Sequence, residues 1–278
     1  MSDHSRREFL GQAAGSIATM AMASSIASGA GSDDLLTVAL IGCGGMGGNH
    51  LKLLADRKDV RIAYLCDVDA DRLTNAIKTV EAAGKPAPKP VKDMRTILDD
   101  KSVDAVWLPM PDHWHAPATI LACAAGKHVY VEKPCSHNVR EGRLMLEAAR
   151  KHNRVVQVGT QSRSTPHVQR AMQLLREGAI GEVLVAKAWN SQLRANIGHR
   201  QPTSPPPQLD FDLWTGPAPM RPYQSNLLHS VWRFWHDFGV GDIGNDGVHD
   251  IDIARWGLGV ETHPSTIAAL GSKFFFDD

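Results

Sequence analysis

Thr37–Ile41 is an apolar run suited to a central, buried strand, and it leads directly into Gly42-Cys43-Gly44-Gly45-Met46-Gly47. A strand, then Gly-x-Gly-x-x-Gly, then a helical stretch constrains the chain more than any other feature it carries. Gly42 permits the tight turn, Gly44 lets the backbone approach a pyrophosphate, and Gly47 lets helix and strand pack closely. The loop, with Gly45 and Met46 in it, is expected to bind the cofactor, and the N-terminus of the helix that follows offers free N–H groups to its phosphates. A second run, Arg61–Cys66, ends at Asp67, twenty residues past Gly47. An acid there bonds ribose hydroxyls and repels a 2′-phosphate, which favours NAD and leaves NADP as the other option.

The pattern then repeats. Helices are expected over Gly48–Asp56, Asp69–Ala83, Pro117–Ala125 and Val139–His152, with a helical turn at Met94–Leu98. Strands are expected over Val103–Pro109, His128–Val131 and Val155–Val158. Alternation at this spacing means an α/β fold with a doubly wound parallel sheet, a Rossmann domain over residues 35–160. The character changes near Gly159. Residues 161–278 read as a second α/β domain, with helices at Val168–Glu177 and Gly244–Leu258 and strands at Glu182–Trp189, Thr266–Leu270 and Lys273–Phe276. Between them, Arg194–Tyr223 is a long Pro-, Gln- and Ser-rich excursion, expected to be packed down by Trp214, Trp232, Phe234 and Trp235. The chain stops directly after an apolar strand, so truncation at the C-terminus is expected.

Residues 1–31 carry Ser5-Arg6-Arg7-Glu8-Phe9-Leu10 followed by a weakly apolar Ala/Ser/Gly run. That is the layout of a twin-arginine signal peptide, which implies the twin-arginine export machinery as a partner and a periplasmic destination. With 30 basic and 30 acidic residues the chain has no nucleic-acid or anionic-membrane footprint, and the mature part has no run long enough to span a membrane. Cys43, Cys66, Cys123 and Cys135 show no metal spacing and read as small buried hydrophobes.

Three constellations carry chemistry. Val129–Val131 is a strand that stops on Glu132-Lys133-Pro134, which holds Lys133 at the carboxyl edge of the sheet. Pro111-Asp112-His113-Trp114-His115 follows another strand at the same edge; Asp112 is expected to cap the next helix and His115 to lie over the cofactor, while His113 reads equally as a surface residue. Asn245, His249 and Asp252 share one helical face by their spacing. That face either lines a site or is a solvated stripe with a core histidine. A hydride-transfer site needs a base for a hydroxyl proton and a group to hold its oxygen, roles that suit His249 and Lys133.

With these parts in order, the chain resembles the glucose–fructose oxidoreductase / inositol dehydrogenase / rhizopine catabolism (Gfo/Idh/MocA) family, from Val38 to Phe276. Glu132-Lys133-Pro134 together with Gly247-Val248-His249 is the specific part. The resemblance implies a Rossmann domain and a second α/β domain whose open mixed sheet makes a homo-oligomer interface. It implies that Lys133 and His249 are catalytic, that Asp252, Asn245, Arg163 and Arg233 meet a carbohydrate or cyclitol substrate, and that Pro111, His115, Glu132 and Gln161 join the glycine loop around the cofactor. The family often has Asp where this chain has Asn245, so a carboxylate between lysine and histidine is missing here, and Lys133 is expected to work with His249 alone. The family includes dehydrogenases and redox-neutral glycoside-cleaving enzymes. An exported member has no soluble nicotinamide pool, so its NAD should be tightly bound.

Overall fold

The computed structural model describes residues 35–272 and 274–277; the twin-arginine segment and Lys273 lie outside them. Six strands form one parallel sheet: β1 (Leu36–Ile41), β2 (Val60–Cys66), β3 (Lys89–Val91), β4 (Ala105–Leu108), β5 (His128–Val131) and β6 (Val156–Val158). Their order is β3-β2-β1-β4-β5-β6. The order reverses between β1 and β4, and at such a switch point an open α/β sheet has its binding crevice, outside the carboxyl ends of the strands. Helices α1 (Gly45–Asp56), α2 (Ala70–Ala82), α3 (Arg95–Asp99), α4 (Asp112–Ala124) and α5 (Val139–Lys151) connect the strands.

β1 is a continuous apolar run because both its faces are covered. Val38 and Leu40 join Leu51 and Leu54 of α1 and Val80 of α2, whereas Ala39 and Ile41 join Ala116 and Ala122 of α4 and Met145 of α5. Caps fix the helix starts. Asp69 accepts from the N–H groups of Asp71 and Arg72 at the head of α2, and Asn138 accepts from that of Glu141 at the head of α5. Each such cap is worth about 1 kcal/mol. Lys127, almost wholly buried, donates from Nζ to the carbonyls of Asp100 and Val103 and closes the turn before β5.

α4 corrects one expectation. Pro117 suggested a start near itself, but the helix begins at Asp112 and carries the proline in its interior. Burial outweighs the cost of a proline there: Ala116, Ala118 and Thr119 are at most 1% exposed, and the His113 N–H is taken by the Phe238 carbonyl at 3.3 Å. Asp112 is therefore the first helical residue and not a cap; Pro111 occupies the cap position.

Past residue 160 come a 3₁₀ turn at Gln161–Ser164, α6 (Pro166–Arg176), α7 (Phe211–Thr215), a 3₁₀ turn at Val231–Phe234, α8 (Gly241–Asn245) and α9 (Gly247–Leu258). The strands expected at Glu182–Trp189 and Thr266–Leu270 are not formed, nor are residues 274–276 in a strand. An alternating pattern gives a segment two faces, but a strand exists only where a neighbour takes its N–H and C=O groups. These segments do not pair with each other, and Leu184, Val185, Trp189 and Ile267 stay exposed.

The long excursion, by contrast, is packed down. Leu209, Phe211, Trp214, Tyr223, Leu227, Trp232 and Phe238 form a third core. It is stitched to the carboxyl edge of the sheet at the β2–α2 turn: Ala70 N–H donates to the Gln208 carbonyl (3.0 Å), Asp210 N–H to that of Val68 (2.9 Å), and Lys92 pairs with Asp210 at 2.9 Å. No helix among the described residues is long and apolar enough to cross a membrane.

Candidate active site

Between the sheet's carboxyl edge and this third core lies a cleft of about 690 Å³. The glycine loop forms one end. Gly42 has φ +105°, a backbone reserved for glycine, and a Cβ on Gly47 would sit 1.9 Å from the Gly42 carbonyl oxygen. Above Gly45 there is open space, and the first turn of α1 has neither a side-chain cap nor an acid. A bare helix N-terminus behind a backbone cradle fits the pyrophosphate of a dinucleotide, as the sequence pattern requires.

Asp67 sits where expected but is already occupied. One carboxylate oxygen accepts from Cys43 N–H at 2.6 Å and the other from Asp69 N–H at 2.9 Å, so it braces the glycine loop; burial holds its pKa above the usual range. Each oxygen keeps a second lone pair for a ribose hydroxyl. Arg72 lies over the loop, 2.5 Å from where a Cβ on Gly44 would stand. Beside it His229 faces Asp69, Nε2 to Oδ2 at 3.2 Å. Sequence reasoning missed both residues. Arg72 had a signal, a cation in the first turn after Asp67; His229 comes from the excursion and had none.

The other end is built on β5 and α4. Glu132 is buried, with one oxygen 2.8 Å from His50 Nε2 on α1 and the other accepting from Lys133 N–H. Burial pushes its carboxyl up, but the His50 hydrogen bond and the Lys133 N–H outweigh that and leave it below the usual range. His115 is fixed by its Nδ1, 2.6 Å from the Pro134 carbonyl, and lines the cleft; its Nε2 is buried without a partner among the described residues. His113 is not on the surface: its ring lies between the carbonyls of Trp214 (3.0 Å) and Phe238 (3.3 Å), and burial pulls its pKa down to about 4.

Lys133 points across the cleft. Its Nζ donates to the backbone oxygen of Asn245 at 2.8 Å and to its Oδ1 at 3.2 Å. Arg233 Nε donates to the same Oδ1 at 3.0 Å, with its guanidinium 4.4 Å above the Trp232 ring. Burial lowers the Lys133 pKa. Asp112 stands on the wall nearby, 2% exposed, and accepts from Val240 N–H at 3.3 Å; burial pushes its pKa up to about 6.

Other expected residues fall elsewhere. Helices α8 and α9 are separated at Asp246, so Asn245 does not share a continuous helical face with His249 and Asp252. The structure joins Lys133 to Asn245 and not to His249. His249 lies in the first turn of α9, does not line the cleft, and has a buried Nδ1 with no partner among the described residues. Arg163 and Asp252 bond each other through two 2.8 Å contacts, with Arg163 over the Trp256 ring; neither they nor the exposed Gln161 line the cleft. Cys43, Cys66 and Cys123 are free and buried, and burial raises all three thiol pKa values. Among the described residues no three His, Cys, Asp or Glu side chains are grouped to hold a metal ion.

Comparison with known proteins agrees with this architecture. Residues 36–160 match the Gfo/Idh/MocA profile for the oxidoreductase family's NAD-binding Rossmann fold, and residues 185–271 match its C-terminal alpha/beta domain. An inositol 2-dehydrogenase from Saccharopolyspora erythraea is 29% identical over 83% of this chain and 56% of its own length. A glycosyl hydrolase family 109 protein from Stenotrophomonas maltophilia is 27% identical over 94% of this chain and 63% of its own. The crystal structure of GenD2 from gentamicin A biosynthesis, in complex with NAD, superposes with a TM-score of 0.61 at 23% identity, over 83% of this chain and 56% of that one. The chain thus spans between about a third and two thirds of the length of the curated relatives it matches.

Proposed function

We propose, for a chain that belongs to the Gfo/Idh/MocA oxidoreductase family, that it oxidises or reduces a carbinol carbon of a sugar, cyclitol or sugar derivative with a tightly held NAD. One observation carries the reading: the uncapped glycine loop and the Lys133 ammonium lie along the same cleft. NAD bound at the glycine loop supplies the hydride acceptor. Gly42, Gly44 and the N–H groups of Gly45, Met46 and Gly47 would hold its phosphates, with Asp67 and Arg72 toward the adenosine. Lys133, in its amine form, takes the hydroxyl proton as the carbon–hydrogen bond gives up its electron pair, and as ammonium it returns that proton in the reverse direction. Burial lowers the lysine's pKa and so favours the amine form relative to an exposed lysine. Arg233 and Asn245 orient the hydroxyls beside it. His249 enters as a second proton acceptor only through a movement that brings α9 to the cleft.

The test is a screen of polyols and sugars that follows nicotinamide absorbance, with Lys133→Met alongside. Hydride transfer should fall by about 10²-fold or more while dinucleotide binding stays intact. Full turnover by Lys133→Met would end this assignment. The long match to a glycosyl hydrolase family 109 protein supports a second reading, a redox-neutral cycle that cleaves a glycoside and returns the hydride; product release without net absorbance change selects it. The twin-arginine pattern supports export with the cofactor in place. Purified protein should then carry nicotinamide, and weak, fast-exchanging NAD would count against it. Self-association through the second domain belongs to the same reading, and sedimentation tests it.

A further inference from the structure

His50 lies on α1, one turn past Met46 of the glycine loop, and does not line the cleft. Its ring is held all the same. It stands edge-on to Tyr130 of β5, with 5.1 Å between centroids, and Tyr130 stacks on Trp107 of β4 at 5.8 Å. Nε2 is thereby set 2.8 Å from Glu132 Oε1, with the two side chains only 14% and 6% exposed. Burial raises the Glu132 carboxyl, but the hydrogen bonds from His50 and Lys133 leave it below the usual range. It accepts as a carboxylate, so the proton between them sits on Nε2.

The other oxygen of Glu132 reaches the lysine. The β4–β5 ladder ends where Glu132 N–H donates to the Leu108 carbonyl at 3.3 Å. The next N–H, that of Lys133, has no backbone acceptor among the described residues and goes to Glu132 Oε2 at 3.1 Å. Pro134 follows and has no N–H to give. One carboxylate therefore holds the backbone from which Lys133 Nζ reaches Asn245. Its seat is cut to size: a Cβ on Gly159, just past β6, would stand 2.8 Å from Oε1 and 2.9 Å from the Tyr130 hydroxyl oxygen. A buried carboxylate that loses one partner turns toward other donors or water, and Glu132 has the cleft beside it.

We propose that His50 is a positioning residue for Lys133: it fixes one oxygen of Glu132 so that the other keeps the Lys133 N–H. The inference rests on the role given to Lys133 above. The helix that opens at the glycine loop and the strand tip that carries the lysine are thus braced as one piece, through a histidine that touches neither substrate nor cofactor.

The experiment follows amide hydrogen exchange at Lys133 in the full chain by NMR, beside NAD affinity and hydride transfer with the fastest polyol of the screen above. In His50→Leu the Lys133 N–H should exchange about tenfold faster. kcat should fall by about 10- to 100-fold, with the polyol KM and the NAD affinity within about threefold of wild type. His50→Gln, whose amide N–H can reach the same oxygen, should recover both exchange and kcat. Gly159→Ala displaces the carboxylate from its other side and leaves His50 in place. It should speed exchange at Lys133 in the same way, and adding His50→Leu to it should change little more. Unchanged exchange or unchanged kcat in His50→Leu overturns the proposal, and so does a His50→Gln protein no better than His50→Leu. A loss confined to NAD affinity also overturns it, by making Glu132 a cofactor ligand only. Should His50→Leu not fold, Gly159→Ala decides, and unchanged exchange there overturns the proposal. Faster exchange in a protein that takes hydride from no polyol would refute the proposed function and leave the brace standing.

Discussion

Two adjacent glycines should respond in opposite ways to the same methyl group. In Gly47→Ala the new Cβ would stand 1.9 Å from the Gly42 oxygen, 2.9 Å from its carbon and 3.3 Å from Pro109 Cγ. An unstrained contact needs about 3.5 Å, so the α1–β1 crossing must open by more than ~1 Å. The obstacle is backbone of the turn itself and cannot swing aside. Overpacking of this kind costs about 1–3 kcal/mol, and the backbone clash places it at the upper end. For a chain of this size ~3 kcal/mol lowers the melting temperature by about 6–12 °C. Gly48→Ala, one residue on, meets nothing within 4 Å and lies inside α1. It should stabilise by about 0.5–1 kcal/mol through helix propensity and raise the melting temperature by about 1–4 °C. Thermal unfolding by circular dichroism, with and without saturating NAD, checks both. NAD should raise the midpoint of Gly48→Ala as it does that of wild type, and that of Gly47→Ala little or not at all. A Gly47→Ala protein melting within about 1 °C of wild type, with its NAD response intact, would refute the close-packed loop.

Lys127→Ala should destabilise by about 2–4 kcal/mol in urea unfolding, because it strands the carbonyls of Asp100 and Val103 at a buried turn, while NAD binding stays unchanged. Arg163→Ala should cost less than about 1 kcal/mol, since its pair with Asp252 is partly solvent-exposed, and a double-mutant cycle with Asp252→Ala should give a coupling of the same small size. Asp112 gives a pH signature. Its folded pKa, near 6, lies above the unfolded value of 3.8, so its contribution is most favourable below pH 3.8 and is lost as pH rises to about 6. Wild-type stability relative to Asp112→Asn should fall by up to ~3 kcal/mol across that window, read from denaturant midpoints at each pH, and a flat difference would show an unperturbed carboxyl.

The first half of the chain was legible because its signals are local. The glycine spacing, the apolar runs and Asp67 act within one βαβ unit; the structure shifts several element ends by one to five residues and adds the short edge strand β3, which the sequence reading did not expect. Where tertiary contact decides, the sequence signal misled. Pro117 marks a helix start only if nothing else secures the preceding turn, yet the burial of Ala116 and the Phe238 carbonyl secure it. Spacing put Asn245 and His249 on one face, but a periodic pattern does not register the break at Asp246, and that break takes His249 out of the cleft. Glu182–Trp189 has strand composition, but pairing is a property of two segments and one segment cannot declare it. Asp112 was read as a cap because an acid before a helix usually is one; its place in the cleft wall depends on how α4 packs against the rest of the chain.

The stitching of Gln208 and Asp210 onto the Val68–Ala70 turn bears on how such a protein can be recombined. A cut near residue 160 looks natural in the primary sequence, but it passes through a shared wall. Asp69, Lys92, His113 and Trp114 on one side hold His229, Asp210, Phe238 and Trp214 on the other. A chimera that exchanges only the second segment would inherit a dinucleotide cradle whose roof was shaped for another partner. Viable crossovers must carry those contact residues with the roof, so the heritable unit is the clasp and not the domain.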